Sequence, residues 1–160
     1  MQGVYGGGIP ISLVAVSLVV RQQLRTRPVR RNGSLVVPVV LAVLGAALIG
    51  LGVASVAKDH PLPALAVVLL AVSLLVAGLF GAVRARTVRV WREPGGEVVR
   101  QGVAATTGLW LASVAVHAGL GLWIDHVAGA GVLGAASLYA YLAIGLGTQN
   151  LLVRGRAAAL

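Results

Sequence analysis

The chain has 160 residues, 58% of them hydrophobic and only 11% charged, against about 25% charged in an average soluble domain. That balance excludes a soluble globular domain and a disordered or fibrous chain. Thirteen basic and four acidic residues give a net charge of +9. Among apolar segments such an excess reports topology and contact with anionic lipid, so membrane lipids, not nucleic acid, are the expected partners.

There is no cysteine, which removes disulfides, thiol relays and Fe–S clusters. Lys58 is the only lysine beside twelve arginines, a bias that fits a GC-rich bacterial genome. A bilayer-spanning helix uses roughly 20 apolar residues, and five segments qualify.

The first runs about 4–20. It is short, and Gly6-Gly7-Gly8 and Pro10 interrupt its outer half; without it the count is four. Basic residues follow rather than precede it, the reverse of a cleavable signal, so it is expected to stay as a span. A basic loop, 21–34, comes next with Arg21, Arg25, Arg27, Arg30 and Arg31. The second and third segments, about 35–57 and 62–83, are joined by the short Lys58-Asp59-His60 turn. A second basic loop, 84–102, carries Arg84, Arg86, Arg89, Arg92 and Arg100. The fourth segment, about 103–124, and the fifth, about 128–152, flank Asp125-His126, and Arg154 and Arg156 follow.

Twelve of the thirteen basic residues thus fall on one side. The positive-inside rule puts that side in the cytoplasm, with the N-terminus outside and the C-terminus inside a bacterial cell membrane. The expected fold is an all-α integral membrane protein. It is a single polytopic domain over 1–160, a bundle of five helices, or four without the first segment. The short turns make segments two–three and four–five antiparallel helical hairpins.

Small residues let helices approach in lipid. The second segment has them every fourth position, at Ala42, Ala46, Gly50 and Ala54. That stripe marks a helix contact, within the chain or between subunits. The third and fourth segments carry shorter stripes, Ser73-Ala77-Gly81 and Ala104-Gly108-Ala112.

In the second basic loop, Thr87–Arg92 alternates apolar and polar residues. Pro94-Gly95-Gly96 is a turn signal, and Glu97–Arg100 follows. This predicts a short cytoplasmic β-hairpin. Lying at the membrane surface, it would bring Arg86, Arg89, Trp91 and Arg92 to lipid phosphates.

No acid falls inside any segment, which argues against ion-coupled transport. His117 is the one ionisable residue well inside a span. With Trp110 and Tyr139 it forms a candidate intramembrane polar site for a lipid, quinone or isoprenoid. His60, Asp125 and His126 are weak metal candidates: their spacing is not that of a helical ligand pair. No metal or cofactor is expected, and no phosphate loop or catalytic triad is present.

The run Gly81-Ala82-Val83-Arg84-Ala85-Arg86-Thr87-Val88-Arg89-Val90-Trp91, with Gly95-Gly96, Arg100, Gly102 and Trp110, resembles the CcdC-like family. So does the Arg25–Arg31 run. These are small multi-pass bacterial membrane proteins, classed as a domain of unknown function. The resemblance covers most of the chain and implies fold and membrane location. The family's name is associated with cytochrome c maturation, a thiol chemistry this chain cannot perform. It supplies no catalytic residues.

The leading expectation is therefore a non-enzymatic scaffold or accessory protein, working as a homo-oligomer or in a larger membrane assembly. Two alternatives stand beside it. One is a transporter or channel component using His117, Thr106, Thr107, Gln149 and Asn150. The other is an intramembrane enzyme or binder.

Overall fold

The computed structural model describes residues 24–29, 33–58, 61–128 and 133–160. The first expected segment, 4–20, and the Asp59-His60 pair lie outside these. The described elements in chain order are β1 (Arg27–Pro28), α1 (Gly33–Ala57), α2 (Ala64–Thr87), β2 (Arg89–Arg92) and β3 (Val98–Gln101), then α3 (Ala104–Ala128), α4 (Leu133–Ala136) and α5 (Leu138–Ala158).

Three stretches, Leu35–Ala57, Ala64–Thr87 and Ala104–Ala128, are long and apolar enough to cross a membrane. Length and composition thus make the chain a multi-pass membrane protein. The fifth segment divides into the single turn α4 and the longer α5, with Ser137 between them. Ser137 Oγ donates to Gly134 O at 2.7 Å, and the Asp125 carboxylate accepts the Gly134 N–H. These polar contacts fix the short α4 turn against α3, where Gly121 meets Gly134 backbone to backbone. A side-chain carbon at Gly134 would run into the Gly121 backbone, whereas one at Gly121 would only touch Gly134.

α5 packs between α1 and α2, and α2 packs between α5 and α3. α4 bridges α1 and α3 at the end remote from the strands. The α1 contact is made by Pro38, Gly45, Gly52 and Val56, all buried. A side chain at Gly45 would run into the backbone of Ala140. The expected stripe Ala42, Ala46, Gly50 and Ala54 is exposed instead, so it is not a contact within the described bundle. Positions 38, 45 and 52 recur every seven residues, which on a helix of 3.6 residues per turn is also one face. α5 meets that face at Pro38 and Gly45, and α4 meets it at Gly52. On α2 the stripe Ser73-Ala77-Gly81 is buried, whereas Ala104, Gly108 and Ala112 of α3 are exposed.

The hairpin forms as expected. Arg89↔Gln101, Val90↔Arg100, Trp91↔Val99 and Arg92↔Val98 pair antiparallel. The turn closes through Gly96 N to Glu93 O and Glu93 N to Glu97 O, both 2.8 Å. Gly96 has φ +84°, a region glycine enters without steric cost. The expectation of two strands needs correction: β1 adds a third, pairing Arg27↔Arg100 and Pro28↔Val99. An isolated hairpin is marginal in water, and the added strand covers one of its open edges.

The apolar core sits toward the two ends. Leu69, Ile124 and Leu133 pack beneath α4, and Ala85, Val88 and Val153 pack under the sheet with Val90 against them. Between them the bundle interior is polar.

Candidate functional site: a polar network inside the bundle

Four side chains from three helices meet mid-bundle. Ser73 Oγ of α2 lies 3.2 Å from His117 Nδ1 of α3. The His117 ring packs on Tyr141 of α5, centroids 4.4 Å apart and planes 36° apart. The Tyr141 hydroxyl lies 2.8 Å from Ser113 Oγ and donates to Ser113 O at 2.9 Å. Ser73, Ser113, His117 and Tyr141 are all buried. Buried polar groups are costly unless they are bonded, and here they bond one another.

His117 is therefore in the interior, but its aromatic neighbour is Tyr141. Tyr139 is 40% exposed. Two residues along a helix turn the side chain about 200°, so Tyr139 and Tyr141 project to nearly opposite sides. Trp110 is half-buried, two turns from His117 on the same helix. Sequence reasoning missed Ser73 as a partner of His117. Its signal was its place in the stripe with Ala77 and Gly81.

A serine beside a histidine invites a nucleophile–base reading. Ser73 is completely buried, and the ring is flanked by a phenol rather than oriented by a carboxylate. As arranged, the pair ties α2 to α3.

Toward the sheet the network continues. Thr87 Oγ1 meets Thr106 Oγ1 at 2.8 Å, and Thr106 Oγ1 accepts Val103 N–H at 3.1 Å. Arg84 is 3% exposed and donates through Nε to Phe80 O at 3.3 Å. Thr107 Oγ1 and Gln149 Oε1 are buried without a hydrogen-bond partner among the described residues.

The sheet is fastened to the helix ends by two arginines. Arg100 Nη1 donates to Asn150 Oδ1 at 2.7 Å. Arg156 Nη1 donates to Ala85 O at 2.7 Å and Val88 O at 2.9 Å. Burial pushes the Arg100 guanidinium below its usual range, and Arg27 beside it lowers it further. Arg86, Arg89 and Arg92, singled out from sequence, are exposed, and Trp91 is half-buried opposite Val99.

Of the weak metal candidates, Asp125 is engaged by the Gly134 N–H. His126 is exposed near the end of α3, and His60 lies outside the described residues. Among the described residues no group of three or more His, Cys, Asp or Glu is placed to hold a metal ion.

No protein-family model, curated protein or solved structure matches this chain. The multi-pass helical character rests on the molecule's own length and hydropathy.

Proposed function

We propose that the chain is a non-enzymatic membrane scaffold or accessory protein that meets anionic lipid through its basic sheet. The observation that carries this reading is the arrangement of the arginines. Arg25, Arg27, Arg86, Arg89 and Arg92 are exposed on and beside a small sheet, which Arg100 and Arg156 hold to the helix ends. Basic residues at an anionic membrane surface contribute about 1 kcal/mol each. The positive-inside rule makes the sheet end cytoplasmic and the N-terminus external. The outward face of α1, with Ala42, Ala46, Gly50 and Ala54, suits close approach by another helix, in a homo-oligomer or a larger assembly. The polar side chains mid-bundle are bonded to one another, as a structural network requires.

The test is native mass spectrometry from nanodiscs holding phosphatidylglycerol and phosphatidylcholine in equal amounts. The wild type is expected to retain phosphatidylglycerol preferentially. The double variant R89Q/R92Q is expected to lose that preference without loss of fold. Equal retention of both lipids by the wild type would overturn the reading.

A further inference from the structure

The described chain enters the fold at Leu24. Leu24 is helical, and its carbonyl accepts a hydrogen bond from Gln101 Nε2 at 2.9 Å. Gln101 ends β3, just before α3 starts at Ala104. β1 runs antiparallel to β3, with Arg27 opposite Arg100 and Pro28 opposite Val99. Followed forward, the chain moves from Arg100 toward Val98, whose carbonyl accepts the Val29 N–H. Followed backward, it moves toward Gln101 and the first turn of α3. Only Arg21, Gln22 and Gln23 separate Leu24 from the apolar segment 4–20. The chain thus arrives at the start of α3 and leaves in the opposite direction, toward α1.

α3 has a face to receive that segment. Among the described residues its main neighbours are α2 and α4. They cover the side on which His117 meets Ser73 and Gly121 meets Gly134. The other side carries Ala104, Gly108, Ala112, Ala115 and Gly119, all exposed. On a helix of 3.6 residues per turn these five fall within about 80° of one another. A side-chain carbon on Gly108 or Gly119 would meet nothing within 4 Å. Small residues let a second helix come close in lipid. Ser12 and Ala15 of the segment, three residues apart, would share one helix face in the same way.

We infer that residues 4–20 cross the membrane as a helix antiparallel to α3 and cover this outward face. The lengths match: a helix from Val4 to Leu24 and the stretch from Ala104 to Trp123 each span ~30 Å, the thickness of the hydrocarbon core. Pro10 is tolerated in such a helix, since a neighbouring helix lies against it. Extending the Arg27↔Arg100 register backward sets Leu24 opposite Val103. Two antiparallel helices of equal rise keep that offset. Ser12 then lies level with Ala115, Ala15 with Ala112, and Val19 with Gly108. Small residues meet small ones, and the larger Val19 meets a glycine. The arrangement also puts the N-terminal end of the segment opposite the basic sheet, as the positive-inside rule requires.

The test exploits the absence of cysteine. The pairs S12C/A115C and A15C/A112C are placed separately in the full chain, reconstituted in nanodiscs and oxidised. After denaturation, trypsin cuts at the arginines between the segment and α3, so only a disulfide keeps their peptides together. Mass spectrometry reads the joined peptides. A disulfide needs Cα atoms within about 7 Å. At least one of the two pairs is expected to link within a single chain. S12C/A46C, aimed at the α1 stripe, is expected not to link. Adding G108L is expected to abolish the link, whereas adding G50L leaves it. Both glycines meet nothing among the described residues, so the difference reports the segment and not the folding of the bundle. No link in either α3 pair, or linking of S12C/A46C in their place, overturns the inference. So do links that form only between separate chains, which would give the α3 face to a second copy.

Discussion

α1 and α2 carry the same sequence device and use it in opposite ways. Each has small residues at every fourth position: Ala42-Ala46-Gly50-Ala54 on α1 and Ser73-Ala77-Gly81 on α2. On α2 the stripe is buried between α3 and α5. On α1 it is exposed, and Pro38 and Gly45 meet α5 while Gly52 meets α4. Small residues mark a face that another helix can approach closely. They do not name the helix that does so. α2 has neighbours on two sides and needs a narrow face toward each. Among the described residues α1 has α5 and the short α4 on one side only.

The sharpest way to break this comparison is to add bulk to each face. Gly45→Leu drives a side chain into the Ala140 backbone, and Gly81→Leu drives one into Gly145 O and Thr148. Because the obstacles are largely backbone, each is expected to cost about 3 kcal/mol or more, read as loss of folded protein in a denaturant titration in micelles. Gly50→Leu meets nothing within 4 Å and is expected to leave monomer stability within about 0.5 kcal/mol. A G50L protein as unstable as G45L would mean that the exposed stripe is a contact face of the folded chain.

A smaller effect separates the two tyrosines of α5. Tyr141→Phe removes the hydroxyl bonded to Ser113 and is expected to cost about 0.6–1.5 kcal/mol. Tyr139→Phe should change stability by less than about 0.5 kcal/mol. The same titration, run on both single variants, checks the order, and equal losses would place Tyr139 in the interior as well. Smaller still, Asp125→Ala frees the Gly134 N–H, at a cost of about 0.5–1 kcal/mol. Hydrogen exchange should show it as faster protection loss confined to α4 and the start of α5.

The strand pattern was the most legible part of the sequence outside the spans. Alternation over Thr87–Arg92 and the Pro94-Gly95-Gly96 turn specify a hairpin by local rules, and its register follows from the turn. β1 was not legible in this way. Arg27-Pro28 is too short to show alternation, and proline there is tolerated because, among the described residues, β1 is an edge strand of the sheet. Only its approach to β3 makes it a strand. Arg84 was read as the start of a loop because it is charged. The helix instead continues three residues further to Thr87, and the arginine is buried in it. Local composition marks where apolar residues stop, whereas the helix ends where its backbone hydrogen bonds find other partners.

By itself the sequence determined that the chain has helices long and apolar enough to cross a membrane, and that a basic hairpin lies between two of them. Those properties follow from apolar length and local turn chemistry, which act residue by residue. It could not determine how each helix is rotated about its axis. In a soluble helix one apolar stripe faces the core and sets that rotation. These helices are apolar nearly all round, so hydrophobicity gives no preferred side. Rotation is decided by which glycines admit a neighbour's backbone and which polar side chains find each other. That is why His117 meets Tyr141 rather than Tyr139, and why Ser73 on α2 finds His117 on α3.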